Sequence, residues 1–306
     1  MVGFWPQSKE NERLTNVEYS IAGCVSGIFA RALCQPFDVL KIRFQLQLEP
    51  IRKQHAHGKY FGIFQAANTI IKEEGWKSLW KGHMPAQGLS LTYGLIQFLS
   101  YELLTEKAFH IIPEEWNDSV QSRIFVSFFC GALSGTLANT VALPFDVIRT
   151  RLVAQGEPKI FRNSRHAAKM MFRNEGFASF YRGLTPALLQ IAPYSAIVCG
   201  GTAGVAAKSL LYPLDVLKKR LHVVGFEQAR TSFGRTFHYS GFLHCIISTV
   251  VQEGYAGLYK GFLPSILKAA AANACGFFFY EQTCNLFRSL RKSNDNSTVK
   301  REDENN

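Results

Sequence analysis

Two short phrases recur three times along the chain, always in the same order. PFDVLKIR begins at Pro36, PFDVIRTR at Pro144 and PLDVLKKR at Pro213; each joins a proline to an acid two residues on and to bases five and seven residues on. EGWKSLWKG, EGFASFYRG and EGYAGLYKG follow them, from Glu74, Glu175 and Glu253. A tandem repeat of this kind dictates architecture, because each copy is one supersecondary unit that buries its apolar face against its neighbours. The spacing fails once. Gly82 and Pro144 stand 62 positions apart (82 to 144), whereas Gly183 and Pro213 are separated by only 30 (183 to 213). About 32 residues, the difference, are missing between the second and third copies.

The composition lies between that of a soluble chain and a lipid-buried one: 47% hydrophobic, 13% aromatic and only 19% charged. No stretch reaches the roughly 18 uninterrupted apolar residues of a simple span. Several stretches of that length are instead apolar with spaced Gly, Ser, Asn, Gln or a single base, a pattern suited to helices with lipid on one side and a wet interior on the other. The net charge of +11 favours anionic partners. The bases and aromatics keep fixed repeat positions instead of forming a dense stripe, so nucleic acid is not expected as a partner. The seven cysteines (24, 34, 130, 199, 245, 275 and 284) form no CxxC pair and have no ordered His partners, and are read as small buried thiols, not metal ligands. The amino terminus lacks a signal-like apolar core and carries acids that a transit peptide avoids, so any membrane address is expected to be internal.

The chain divides into an N-terminal segment, 1–15; repeat 1, 16–112; repeat 2, 119–198, cut short at its end; repeat 3, 199–290; and a polar tail, 291–306, expected to be disordered. Each repeat opens on an apolar helix with paired glycines, Gly23 and Gly27, Gly131 and Gly135, Gly200 and Gly204, at the GxxxG spacing that lets helix backbones approach in lipid. Nine residues after the second glycine come Pro36, Pro144 and Pro213, each removing an amide donor and kinking its helix. A basic loop, a short amphipathic surface helix and a second apolar helix follow: 84–105, 185–198 and 262–287. Two spans and a surface helix, three times over, predict an all-α membrane protein with six spans, the fourth and fifth shortened. Near Gly200 and Gly201 the shortened pair either turns back as a re-entrant hairpin or fuses into one span.

A triplicated PxDxx(K/R)x(K/R) followed by (D/E)Gxxxx(aromatic)(K/R)G resembles the mitochondrial carrier family over nearly the whole chain. Within it, KGHMPAQ, AQGEPK and GFEQARTSFG are similar to the carriers of thiamine pyrophosphate. The resemblance implies a monomeric, multi-pass transporter of the mitochondrial inner membrane that exchanges small phosphorylated anions, thiamine pyrophosphate here, without covalent chemistry. A carrier for nucleotides or coenzyme A, or a non-transporting membrane protein that binds cardiolipin, remains open beside it.

By position, the resemblance pairs Asp38 with Arg149, Asp146 with Lys218 and Asp215 with Lys41, as a gate on the matrix side. It places substrate contacts at Leu89, Gln190 and Lys268, with Ile191 beside the second, and Arg31 and Lys208 stand five residues before their prolines. An ammonium deep in apolar helix is costly, and a bound anion would offset it; snorkelling or pairing with a helix carboxylate is the alternative for each base. Gln87 and Gln97 either line the cavity or bridge helices. Cardiolipin is expected at the helix starts Trp80, Lys81 and Gly82; Tyr181, Arg182 and Gly183; and Tyr259, Lys260 and Gly261, where exposed amides attract phosphate. The family's YxG element stands at 60–62 and 239–241, but the second repeat has Phe161, Arg162 and Asn163 there.

On its even-numbered spans the family carries an aromatic-acid-x-x-base motif. Here Tyr101 and Glu102 are followed by Thr105, and Tyr280 and Glu281 by Cys284. A transport-impaired form is expected. GGTAGVAAKS, 200–209, imitates a phosphate-binding loop but lacks its Gly-Lys step and any preceding strand. With no catalytic motif elsewhere, the chain is not expected to be an enzyme, and no cofactor is expected.

Overall fold

The computed structural model describes residues 15–49, 58–111, 120–191, 204–227, 230 and 237–303. Among them all regular structure is helical: α1 (Asn16–Leu46), α2 (Ile63–Glu74), α3 (His83–Ile111), α4 (Val120–Ala154), α5 (Ser164–Glu175), α6 (Leu184–Leu189), α7 (Gly204–His222), α8 (Phe242–Glu253) and α9 (Phe262–Asp303). Short 3-10 turns at Trp76–Trp80, Phe177–Tyr181 and Tyr255–Tyr259 carry the second repeated phrase. Pro36, Pro144 and Pro213 all lie inside helices, in α1, α4 and α7.

Among the described residues three stretches are long and apolar enough to cross a membrane: Val17–Leu46, Gln121–Ala154 and Tyr255–Leu290. α4 shows why. Phe125, Phe129, Leu133, Leu137 and Val141, four residues apart, are exposed, while Ser134, Ala138 and Ala142 are buried. A helix greasy on its outside and small or polar on its inside is built for lipid without and packing within. α6 is six residues long, and residues 192–203 lie outside the described part, as do the expected junction near 198 and 199 and the turn at Gly200 and Gly201.

Two compact units make up the chain, 1–35 with 267–306, and 36–266. In the first, the opening half of α1 packs on α9. Ser26 Oγ donates to the Gly276 carbonyl at 2.6 Å, Phe29 stacks on Phe279 at 5.3 Å, and Ala22 and Cys284 are buried together. Within this unit a methyl built on Gly23 or Gly27 meets nothing within 4 Å, so neither glycine faces α9. The helix approaches through its neighbours Ala22 and Ser26, a residue away on the cylinder. α9 runs through Asp303. After Gly276 there is no glycine or proline to stop it, and polar composition alone does not break a helix.

In the second unit each amphipathic helix roofs a small core. Ala66 and Ile70 of α2 close over Val39 and Ile42, Ala167 and Met171 of α5 over Val147 and Leu152, and Cys245 of α8 over Leu217 and Leu221. The next repeat joins in. Val153 enters the first core, and Phe226 enters the second, stacked on Phe161 at 4.8 Å. None of the six described cysteines is joined in a disulfide; four are buried, while Cys24 is exposed and Cys275 partly so.

Candidate gate and lipid pocket

Three short acid-base segments, each opening on a proline inside its helix, lie in one unit. Arg149 Nη2 lies 2.5 Å from Asp38 Oδ2, Lys218 Nζ 2.9 Å from Asp146 Oδ2, and Lys41 Nζ 2.5 Å from Asp215 Oδ2. Each pair joins one repeat to the next, and the third returns to the first, so the ring closes. Gln45 Nε2 donates to Tyr212 Oη at 3.1 Å and lies 3.5 Å from Asp215, bracing the third pair.

A second ring, absent from the sequence reading, lies beside the first. The last base of each first phrase grips the acid that opens the second phrase: Arg43 with Glu74 at 2.7 and 2.9 Å, Arg151 with Glu175, and Arg220 with Glu253 at 2.5 and 2.8 Å. The base of the (K/R)G step joins the same acid: Lys81 to Glu74, Arg182 to Glu175, and Lys260 to Glu253. The same arginines cap the next repeat. Arg43 Nε donates to the Val153 carbonyl at 2.7 Å, Arg151 Nε to His222 at 3.0 Å, and Arg220 Nε to Gln45 at 3.2 Å. Those carbonyls lie at the C-terminal ends of helices, where cations satisfy otherwise orphaned acceptors. The only signal in sequence is co-occurrence of an arginine in one phrase with a glutamate in the other.

Glu74 lies on a surface helix. Burial pushes its carboxyl up, but hydrogen bonding and charge from Arg43, then Lys81, outweigh that and hold it below the usual range. Lys81 is lowered, chiefly by burial.

The expected lipid contacts divide. Lys81, Arg182 and Lys260 spend their charges on internal acids, and Lys260 also donates to the carbonyls of Gln47, Leu48 and Glu49 at 3.0, 2.7 and 3.0 Å. Gly82, Gly183 and Gly261 start their helices at φ of 75°, 83° and 79°. Trp80 and Tyr259 remain exposed and Tyr181 half-buried. Between the first and second repeats is a cavity of about 690 Å³ lined by Trp80, Lys81, Gly82 and His83 on one side and Lys159, Arg162, Asn163 and Arg165 on the other. Where the family's YxG glycine is missing, arginines line the wall.

Of the expected substrate contacts, Leu89 lies on α3, Gln190 and Ile191 at the end of α6, and Lys208 on α7, where its Nζ donates to the Ser265 carbonyl at 3.1 Å. Ile191 Cγ2 and Tyr93 Oη come 3.5 and 3.9 Å from a methyl built on Gly135. Arg31 and Lys268 belong to the other unit, on α1 and α9. Among the described residues no group of His, Cys, Asp and Glu is arranged to hold a metal.

The family profile described as "Mitochondrial carrier protein" matches residues 12–110, 120–198 and 195–290. The mitochondrial thiamine pyrophosphate carrier of Bos taurus is 42% identical over 322 aligned positions, covering 96% of this chain and 99% of its own. The carrier of that name from Homo sapiens is 42% identical over 323 positions, with the same coverage. Mitochondrial thiamine diphosphate carrier 1 of Zea mays is 34% identical, over 86% of this chain and 91% of its own. Three matched repeats, three ion pairs linking them and apolar helices of membrane length agree, and the chain belongs to the mitochondrial carrier family, a family of transporters and not of enzymes.

Proposed function

We propose that this chain exchanges thiamine pyrophosphate for other phosphorylated solutes, nucleotides among them, across the mitochondrial inner membrane, as a monomer working by alternating access. The names of its relatives supply the cargo, and the net charge of +11 suits an anion. The observation that carries the reading is the closed ring Asp38–Arg149, Asp146–Lys218, Asp215–Lys41: ion pairs between repeats, and not within them, hold one face shut and must part for the repeats to separate. Arg31, Leu89, Gln190, Ile191, Lys208 and Lys268 are the proposed contacts for the cargo, and the cavity at Trp80 to Gly82 and Arg162 is the proposed seat of a cardiolipin headgroup.

We further propose that this form is shortened and transports poorly. Alignment with the bovine carrier runs over 322 positions, more than the 306 residues of this chain, so the relative has residues with no counterpart here. The interval of 30 against 62 positions supports a loss between Gly183 and Pro213. In liposomes, the chain should exchange thiamine pyrophosphate far more slowly than a version with the segment restored. Equal rates would remove the impairment; no exchange by the restored version would remove the cargo. A panel of unlabelled nucleotides, coenzyme A and thiamine pyrophosphate competing for uptake separates the neighbouring cargoes.

A further inference from the structure

The gate ring holds more bases than acids. Among the described residues, Asp38, Asp146 and Asp215 face Lys41, Arg149, Lys218 and also Lys219, whose Nζ lies 2.5 Å from Asp146 Oδ1. Lys219 occupies the position between the two motif bases, which holds Ile42 in the first repeat and Thr150 in the second. Its ammonium is fixed twice, on Asp146 and on Thr150 Oγ1 at 3.1 Å, and Thr150 in turn lies 3.2 Å from His222 Nδ1. Lys218 has the longer contact to that carboxylate, 2.9 Å, and has Asp215 and then the Tyr93 phenol of α3 among its more distant electrostatic neighbours.

One carboxylate cannot neutralise two ammoniums. A buried cation without its own counter-charge is costly, and an arriving anion relieves that cost. We propose that the two lysines divide the work at Asp146: Lys219 keeps the carboxylate paired, and Lys218 is the cation that turns to the phosphate or pyrophosphate group of the cargo. This rests on the carrier reading above. It also makes the link between the second and third repeats unlike the other two, since Asp146 stays paired when Lys218 leaves.

Thermal unfolding of the purified chain in detergent, with and without inorganic pyrophosphate and thiamine pyrophosphate, tests the division. Lys218→Gln should unfold within about 2 °C of the parent, because Lys219 still holds Asp146, yet its apparent Kd for pyrophosphate should rise about tenfold. Lys218→Arg should restore binding. Lys41→Gln, which strips Asp215 of its ammonium, is the comparison and should unfold clearly lower. A Lys218→Gln chain as unstable as Lys41→Gln, or one that binds pyrophosphate as the parent does, overturns the proposal. Should the parent bind neither ligand, the phosphorylated cargo falls with it; binding by the parent with no change in Lys218→Gln overturns the division alone.

Discussion

Gly261 lies against the backbone carbonyl of Lys41, so closely that a methyl built on it would stand 2.9 Å from that oxygen. The relationship recurs around the molecule: Gly183 against the carbonyl of Lys218, and Gly82 against that of Arg149. Each (K/R)G glycine therefore starts its helix where it touches the gate base of the following repeat. Left-handed φ and close backbone approach both demand glycine there.

Gly183→Ala should consequently be costly. Its φ of 83° disfavours a side chain, and the methyl would meet His222 Cδ2 at 2.8 Å. About 1–3 kcal/mol is expected from the backbone strain alone. Gly62→Ala is the control, since Gly62 is extended at φ −156° with nothing within 4 Å of a methyl. Thermal unfolding in detergent should show a large drop for the first and almost none for the second.

Arg151 is fully buried, and its guanidinium serves Glu175 and the carbonyls of His222 and Val224 together. Arg151→Ala leaves Glu175 with only Arg182 and takes its donor from the His222 carbonyl, while Arg182 still serves that of Val224. Breaking a buried pair from one side costs about 3–5 kcal/mol. Arg151→Lys should recover little, because a single ammonium cannot repeat the two-nitrogen grip on Glu175 while also filling the Nε position at the His222 carbonyl. The measurement is the yield and unfolding temperature of each variant; full recovery by lysine would mean that charge alone matters there.

Glu74 supplies a pH dependence with a definite sign. Its folded carboxyl is held below the ordinary value of 4.5 by Arg43 and Lys81 against the opposing push of burial. A depressed acid stabilises the fold above its unfolded pKa and loses that contribution as pH falls through the folded one. Unfolding temperature should therefore decline as the pH drops below about 4.5, and Glu74→Gln should show a shallower decline from a lower start. An identical acid profile in the variant would place the titrating groups elsewhere.

Acid and base of each gate pair sit inside one repeated phrase, but it is the family resemblance, and not the repetition, that says each acid meets the base of the next repeat. Arg43 with Glu74 was not legible in the sequence, since its two members stand in different phrases, and the separation is not constant: 24 positions from Arg151 to Glu175 and 33 from Arg220 to Glu253. GxxxG spacing at Gly23 does not mark the face of α1 that meets α9. A periodic pattern shows that one face is small but not which neighbouring stripe, Ala22 and Ser26 here, meets the partner helix. Lys219 was passed over because a third base beside two motif bases reads as ordinary juxtamembrane charge until its partner is seen.

The cavity between the first two repeats sets the last expectation. Lys81 in its lining is committed to Glu74, so the charge left to recruit an anion comes from the exposed Lys77 and from the opposite wall, where Arg162 and Arg165 stand beside the turn at 161–163. Side-chain cations here replace part of what backbone amides do elsewhere, and a doubly charged phospholipid headgroup should feel both. Added cardiolipin should raise the unfolding temperature of the detergent-solubilised chain more than phosphatidylcholine does. Arg162→Gln with Arg165→Gln should shrink that increment while leaving the lipid-free unfolding temperature nearly unchanged, because exposed bases contribute at most about 1 kcal/mol to stability. An undiminished increment would assign the cardiolipin effect to the helix starts at Gly183 and Gly261 instead.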